Sequence, residues 1–208
     1  MNYYYNKNIL EAGLDEAGRG PLFGRVYVAS VILPQEDFNH ELIKDSKKLS
    51  ERKRLIIADY IKDYSIDWVV HYKDEKYIDK HNIFKANYDA MHEALDKMLV
   101  TPEYILVDGN YFKPFSDRNG NFISHTTIVK GDDKYTSIAA ASILAKVERD
   151  KYIEELCEKY PGLNEKYGIA SNKGYGSKKH IEGIKQYGIT EWHRKTYGIC
   201  KTQPVISI

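Results

Sequence analysis

Residues 9–33 read "ILEAGLDEAGRGPLFGRVYVASVIL". Two short apolar stretches, Ile9 to Asp15 and Val26 to Leu33, are bounded by Gly and Pro and joined by a glycine-rich loop, which reads as two strands in a hairpin-like start. Asp15 and Glu16 stand directly before Gly18-Arg19-Gly20. Adjacent strand residues point to opposite faces, so the two carboxylates share a site only where the strand is ending or distorted, and the glycines supply that.

Working outward, the pattern changes to alternating helix and strand. Ser50 caps a helix running to about Tyr64, with Leu55, Ile56, Ala58 and Ile61 near helical spacing. Ile66 to Tyr72 reads as a third strand, and Asn82 to Leu99 as an amphipathic helix ended by Pro102. Two apolar strands follow, each running into a carboxylate: Tyr104 to Asn110 ends "VDGN", and Phe122 to Asp133 ends "KGDD". Residues 111–121 read as a surface loop from their Pro, Asn and Gly. A long helix from about Tyr135 to Lys159 carries "SIAAASILAKV", whose small residues allow close packing on a sheet; Pro161-Gly162 stops it. Helices at about 177–187 and from about Thr190 form a C-terminal appendage. The fold class is therefore α/β: a mixed five-stranded sheet flanked by helices over residues 1–160, with a helical extension over 161–208. Sites in such sheets form at the carboxyl ends of parallel strands, where the acids after strands one, four and five can meet.

The chain has 208 residues and a formal net charge of +1, which argues neither for nor against a polyanionic partner. The distribution says more. Residues 44–54 carry six basic residues against two acidic ones, and 171–201 seven against two, so one side is expected to be basic. Cys157 and Cys200 have no metal-ligand spacing and make no disulfide framework. No signal peptide and no apolar run long enough to span a membrane is present, giving the expectation of a cytoplasmic protein without membrane contact. The tail "KTQPVISI" reads as a frayed terminus.

The loop is no phosphate cradle of a known kind. Pro21-Leu22 follows Gly20 where a P-loop needs Lys-Ser/Thr, and Phe23 stands where a dinucleotide fingerprint needs Gly. Asp15 and Glu16 would also repel a bare phosphate; a divalent cation reverses that sign. Asp15, Glu16, Asp108 and Asp132 are hard oxygen donors suited to Mg²⁺ or Mn²⁺. Two such ions about 3.5–4 Å apart can activate a water on one side of a phosphorus and stabilise the leaving oxygen on the other. The chemistry is phosphodiester hydrolysis.

"GLDEAGRGPLFG", "DSKKLS", "LVDGN", "VKGDDKYTSIAAASILAKVERD" and "NKGYGSKKHIEGIKQYGITEWHRKTY" resemble, in order and over nearly the whole chain, the motifs of ribonuclease HII. The resemblance implies an RNase H-like fold and Mg²⁺- or Mn²⁺-dependent endonucleolytic cleavage of RNA in RNA/DNA hybrids. It also implies incision at single ribonucleotides in duplex DNA, with the C-terminal extension contributing to substrate binding. Asp15, Glu16, Asp108 and Asp132 match the metal-binding catalytic acids. Gly18, Arg19 and Gly20 match the loop that recognises the ribose 2′-hydroxyl, where glycine lets backbone groups approach the sugar. Tyr175 matches a tyrosine that packs on the following sugar, and Ser46 and Lys47 match residues near backbone phosphates. The chain is expected to act as a monomer; a replication-clamp contact is not established by its residues. It departs from the pattern in carrying Arg25 where Pro is usual. A metal nuclease of other specificity and a non-enzymatic hybrid-binding protein are the alternatives; the 2′-hydroxyl loop argues against the first, and the presence of all four acids against the second.

Overall fold

The computed structural model describes residues 1–43 and 49–207. It divides into two compact units. The first comprises Met1–Ala17, Tyr27–Tyr72 and Asn87–Val147, the second Gly18–Val26, Lys73–Ala86 and Glu148–Ile208.

In the first unit, β1 (Glu11–Ala17) pairs antiparallel with β2 (Val26–Ile32) and parallel with β4 (Tyr104–Asp108), which pairs parallel with β6 (Phe122–Ile128). With β3 (Asp67–Lys73) and β5 (Phe115–Ser116), the sheet order among the described residues is β3-β2-β1-β4-β6-β5. The mixed α/β architecture is as expected from the sequence, with six strands in place of five. The added strand, β5, is two residues long, too short for side-chain alternation to betray it. It pairs with β6 across a turn in which Asp117 Oδ1 accepts the N–H groups of Asn119 and Asn121.

Both faces of β1 are covered. Ala12 and Leu14 pack with Ile105 and Val107 of β4 against Ala90, Met91, Ala94 and Leu95 of α3 (Ile83–Lys97). On the other face, α4 (Thr136–Lys159) approaches the backbone itself: a Cβ on Gly13 would stand 2.2 Å from the Ser137 carbonyl carbon and 2.4 Å from the Ile138 nitrogen. The fully buried Ala139, Ala140 and Ala141 of "SIAAAS" fit the small-residue packing read from the sequence. α1 (Glu51–Tyr64) begins as read, with Ser50 Oγ accepting the Lys53 N–H.

The second unit is more helical than the sequence suggests. α2 (Glu75–His81) is capped by Asp74, whose Oδ1 accepts the Tyr77 N–H at 2.8 Å. α5 (Gly162–Tyr167) and α6 (Ile169–Asn172) precede α7 (Lys178–Tyr187). The helix expected from Thr190 is absent: the Arg194 N–H, which would close the first helical turn on the Thr190 carbonyl, donates to Leu22 O at 2.8 Å instead, and a 3-10 turn, Gly198–Thr202, follows. The tail is likewise not frayed where described. Ile189 donates to Pro204 O at 2.9 Å, and Ile206 donates to Ile189 O at 2.7 Å. Both cysteines are buried free thiols, and no helix of the described residues is long and apolar enough to cross a membrane.

Gly13→Ala is expected to destabilise the protein by about 2–3 kcal/mol in urea unfolding, because the added carbon meets helix backbone that cannot rotate away. An unchanged midpoint would contradict that close approach.

Candidate active site

Asp15 lies inside β1 on the face that α4 covers. Ile138 sits over Gly13, and Ser142, one helical turn later, hydrogen-bonds the Asp15 carboxylate. The match is one of pitch: two strand residues advance about 6.6 Å and four helical residues about 6 Å. Asp108 closes β4 directly after Val107, the register partner of Leu14, so Asp15 and Asp108 each follow a paired residue and face the same side. Asp108 Oδ1 accepts the Gly131 N–H at 2.7 Å. Gly131 opens the 3-10 turn Gly131–Asp133, preceded by Lys130 in the left-handed region at φ 55°, and Asp132 is buried within it. The turn after β6 thus touches Asp108 through a backbone N–H, with Asp132 one residue further along.

Glu16 is placed differently from the expectation of a strand ending before the glycines. The ladder to β2 continues to Ala17↔Tyr27, so Glu16 stays in regular alternation with Asp15. What stops is β4: its pairing with β1 ends at Leu14↔Val107, and of the strands only β2 continues beside Asp15 and Glu16. Glu16 Oε2 lies 3.4 Å from Asn87 Nδ2 of α3, while its own N–H donates to Asp15 Oδ1 at 2.7 Å.

Burial, then the Glu16 and Asp108 carboxylates, push the Asp15 pKa well above the usual carboxylate range, opposed by the bonds from Ser142 and the Glu16 N–H. The groups that act most strongly on Asp15 are two carboxylates, a hydroxyl and a backbone N–H, and among the described residues no three His, Cys, Asp or Glu side chains stand together as a ready-made ligand set. The donors are hard oxygens, and the most buried of them is held against its own ionisation. A divalent cation relieves that environment, so the residues fit one.

In the second unit, the loop Gly18–Arg25 is held by two buried arginines. Arg194 donates from Nε to Gly24 O (2.9 Å), from Nη1 to Arg19 O (2.9 Å) and from Nη2 to Gly18 O (2.6 Å). Arg149 donates to Arg25 O and Phe23 O, each at 3.2 Å. The planar fork of a guanidinium serves several fixed carbonyls at once, as an ammonium does not. Burial lowers the Arg194 pKa to about 10, which leaves it charged at neutral pH. Gly18 has φ +95°, and a Cβ there would fall 2.2 Å from Arg149 Nε, so glycine is required on both counts. Arg19 and Gly20 are exposed. Tyr175 is half exposed; its Cε1 comes 3.8 Å from where a Gly20 Cβ would stand, and its ring centre is 5.9 Å from Arg149 Cζ. Arg25 stacks its guanidinium 4.3 Å over the Tyr152 ring, and the Tyr152 hydroxyl donates to Glu75. Ser46 and Lys47 lie outside the described residues.

Sequence reasoning missed Asn87, Ser142, Arg149 and Arg194. Asn87 was detectable as a polar residue within the apolar stripe Ala86, Ala90, Met91 of α3, where its Oδ1 is buried without a partner. Nothing in sequence distinguishes Arg149 or Arg194 from a surface arginine.

Known proteins share this fold. The ribonuclease H2 from Pyrococcus horikoshii OT3 matches with a TM-score of 0.75 at 28% identity, covering 92% of this chain and 95% of that one. The ribonuclease HII in the PCNA:RNase HII complex from Archaeoglobus fulgidus matches with a TM-score of 0.74 at 30% identity, covering 91% and 96%. These likenesses define the class, an endoribonuclease hydrolase of the ribonuclease H type. The ribonuclease HII family model matches residues 12–200, and the ribonuclease HII of Parabacteroides distasonis is 50% identical over 96% of both chains. The chain therefore belongs to the ribonuclease HII family, and its class activity is hydrolysis of the RNA strand of RNA/DNA hybrids.

Arg194→Lys is expected to cost about 3 kcal/mol in urea unfolding, since one ammonium cannot serve three separated carbonyls. Amide exchange between residues 18 and 24 should accelerate with it; unchanged protection would contradict the restraint assigned to Arg194.

Proposed function

We propose that this enzyme, besides cutting the RNA strand of hybrids, incises duplex DNA on the 5′ side of a single embedded ribonucleotide, leaving 3′-hydroxyl and 5′-phosphate ends. The observation that carries the catalytic half is the Asp15–Asp108 pair: two carboxylates at neighbouring strand positions, the first buried and repelled by the second and by Glu16. Asp15, Asp108 and Asp132 would hold Mg²⁺ or Mn²⁺, with Glu16, on the other face of β1, reaching the ions past the end of the β4 pairing. A pair of such ions, when bound, supplies the charge that activates the attacking water and steadies the departing 3′ oxygen. Ser142 and the Gly131 N–H each fix one acid, so the carboxylates need little reorganisation on metal binding.

Sugar selection is assigned to Gly18, Arg19, Gly20 and Tyr175. One residue of chain, Ala17, separates the last acid from that loop. With the Gly18 and Arg19 carbonyls committed to Arg194, the loop keeps one backbone shape, and a glycine-lined turn of fixed shape can test for a 2′-hydroxyl. Ser46 and Lys47, in the basic run 44–54, are assigned to phosphate contact. The enzyme is proposed to act as a cytoplasmic monomer.

A duplex containing one ribonucleotide, incubated with the protein and Mg²⁺ or Mn²⁺, should be cut once, 5′ of that residue. An intact strand, or equal cutting of an all-DNA duplex, would sink the reading. Asp108→Asn should reduce turnover at least about 10³-fold with folding largely retained, because it removes a charge and keeps the shape; substantial residual turnover would remove Asp108 from the catalytic set. Tyr175→Ala should impair the single-ribonucleotide substrate more than a long hybrid, and equal losses on both would refute its assignment.

A further inference from the structure

We infer that Thr190, His193 and His180 form a hydrogen-bond relay of fixed direction that holds the main chain of Tyr175, which makes the two histidines positioning residues for the exposed Tyr175 ring. The direction follows from both ends independently. The Thr190 N–H can only donate, and it meets His193 Nδ1 at 3.0 Å, while the Thr190 hydroxyl, 2.9 Å from the same nitrogen, is free to donate to it as well; Nδ1 therefore accepts and the ring proton of a neutral His193 is on Nε2. At the other end, the Tyr175 carbonyl can only accept, and His180 Nδ1 stands 2.8 Å from it, so His180 carries its proton on Nδ1. The two Nε2 atoms are 3.1 Å apart, and the assignments complement each other: His193 Nε2–H donates to the bare His180 Nε2.

The surroundings keep both rings neutral. His180 and His193 are fully buried, boxed by Phe23 and Tyr167, whose rings lie edge-on at 5.0 Å from His193. Burial, then the neighbouring His180, lowers the His193 pKa to about 3; burial lowers that of His180 as well, against the pull of the Tyr175 carbonyl. A second proton on His180 would set two N–H groups against each other across the 3.1 Å gap, and one on His193 would set Nδ1–H against the Thr190 N–H at 3.0 Å.

The Tyr175 segment is held on its N-terminal side by the Leu22 N–H on the Gly174 carbonyl and by Asn172, which accepts the Gly174 and Tyr175 N–H groups; the histidine holds the Tyr175 carbonyl itself. The chain turns through Lys173 at φ 51° and Gly174 at φ 84°, and the Tyr175 carbonyl receives the Ser177 N–H, at 2.8 Å, as well as the histidine. Ser177 in turn caps α7, its Oγ accepting the His180 N–H, so ring and backbone of His180 both tie the "GYGS" turn to the helix. The consequence for substrate rests on the reading of Tyr175 as the sugar-facing side chain; the ring tautomers do not.

Two measurements separate these. Nitrogen-15 NMR of the histidine rings in the intact, unsubstituted protein should show His180 protonated at Nδ1, the tautomer less favoured in water, and His193 at Nε2. The opposite tautomer at either ring overturns the relay. Steady-state cleavage of a single-ribonucleotide duplex by two near-isosteric variants then tests the positioning. In His180→Asn the amide nitrogen falls near the place of Nδ1 and can still reach the Tyr175 carbonyl; in His180→Gln it falls near Nε2 and cannot. The expected result is KM within about twofold of the parent for Asn and about tenfold higher for Gln, with kcat nearly unchanged in both. Equal increases in KM would reduce His180 to a packing residue and overturn its positioning role. The stated tautomers with KM unmoved by either substitution would overturn the sugar-facing role of Tyr175 and leave the relay standing.

Discussion

The approach of α4 to the backbone of β1 at Gly13 is the constraint on which the acid-bearing face of the sheet depends. A helix normally rests on side chains; here one residue has none, and Ser137 and Ile138 sit where its Cβ would be. Helix and strand advance by nearly the same length over four and two residues, so the contact at Gly13 brings Ser142 to Asp15 one step later. The same drop toward the sheet brings Ile138 Cδ1 within 2.6 Å of where a Gly131 Cβ would stand, so a side chain there would have to push that methyl aside, and the Gly131 N–H is what fixes Asp108. Two glycines far apart in sequence thus serve one helix and orient two acids.

The second unit solves a different problem, that of giving a loop of glycines a single shape. Hydrophobic packing cannot do this for residues without side chains, so the loop is gripped by its carbonyls. Arg149 and Arg194 between them take those of Gly18, Arg19, Phe23, Gly24 and Arg25. Burying two guanidiniums is costly unless their donors are satisfied, and the loop satisfies them. The loop needs the arginines to be ordered, and the arginines need the loop to be buried.

What was legible in the sequence follows from the physics of each element. Long periodic segments declared themselves: α1, α3, α4 and α7 agree with the expected helices to within one or two residues. Apolar runs ending in Asp108 and Gly131-Asp132 marked the carboxyl ends of β4 and β6, because a strand that stops in an acid followed or preceded by glycine leaves a readable pattern. β5 was invisible for being two residues long, and residues 190–197 carry a helix-like pattern that fails because the Arg194 N–H is committed to Leu22 O, a contact no local pattern encodes. α2 carried a legible signal, the Asp74 cap. The restraining side chains stayed hidden for a common reason: Ser142, Arg149 and Arg194 act on backbone or carboxylates more than a hundred residues away, and a buried arginine is spelled like an exposed one.

The Asp15–Asp108 pair is proposed to be completed by a divalent cation. Titration of the protein with Mn²⁺, with the free ion followed by electron paramagnetic resonance, tests it without reference to turnover. Saturable binding that Asp15→Asn weakens at least about tenfold is the predicted result. Equal Mn²⁺ binding by the parent and Asp15→Asn would contradict it.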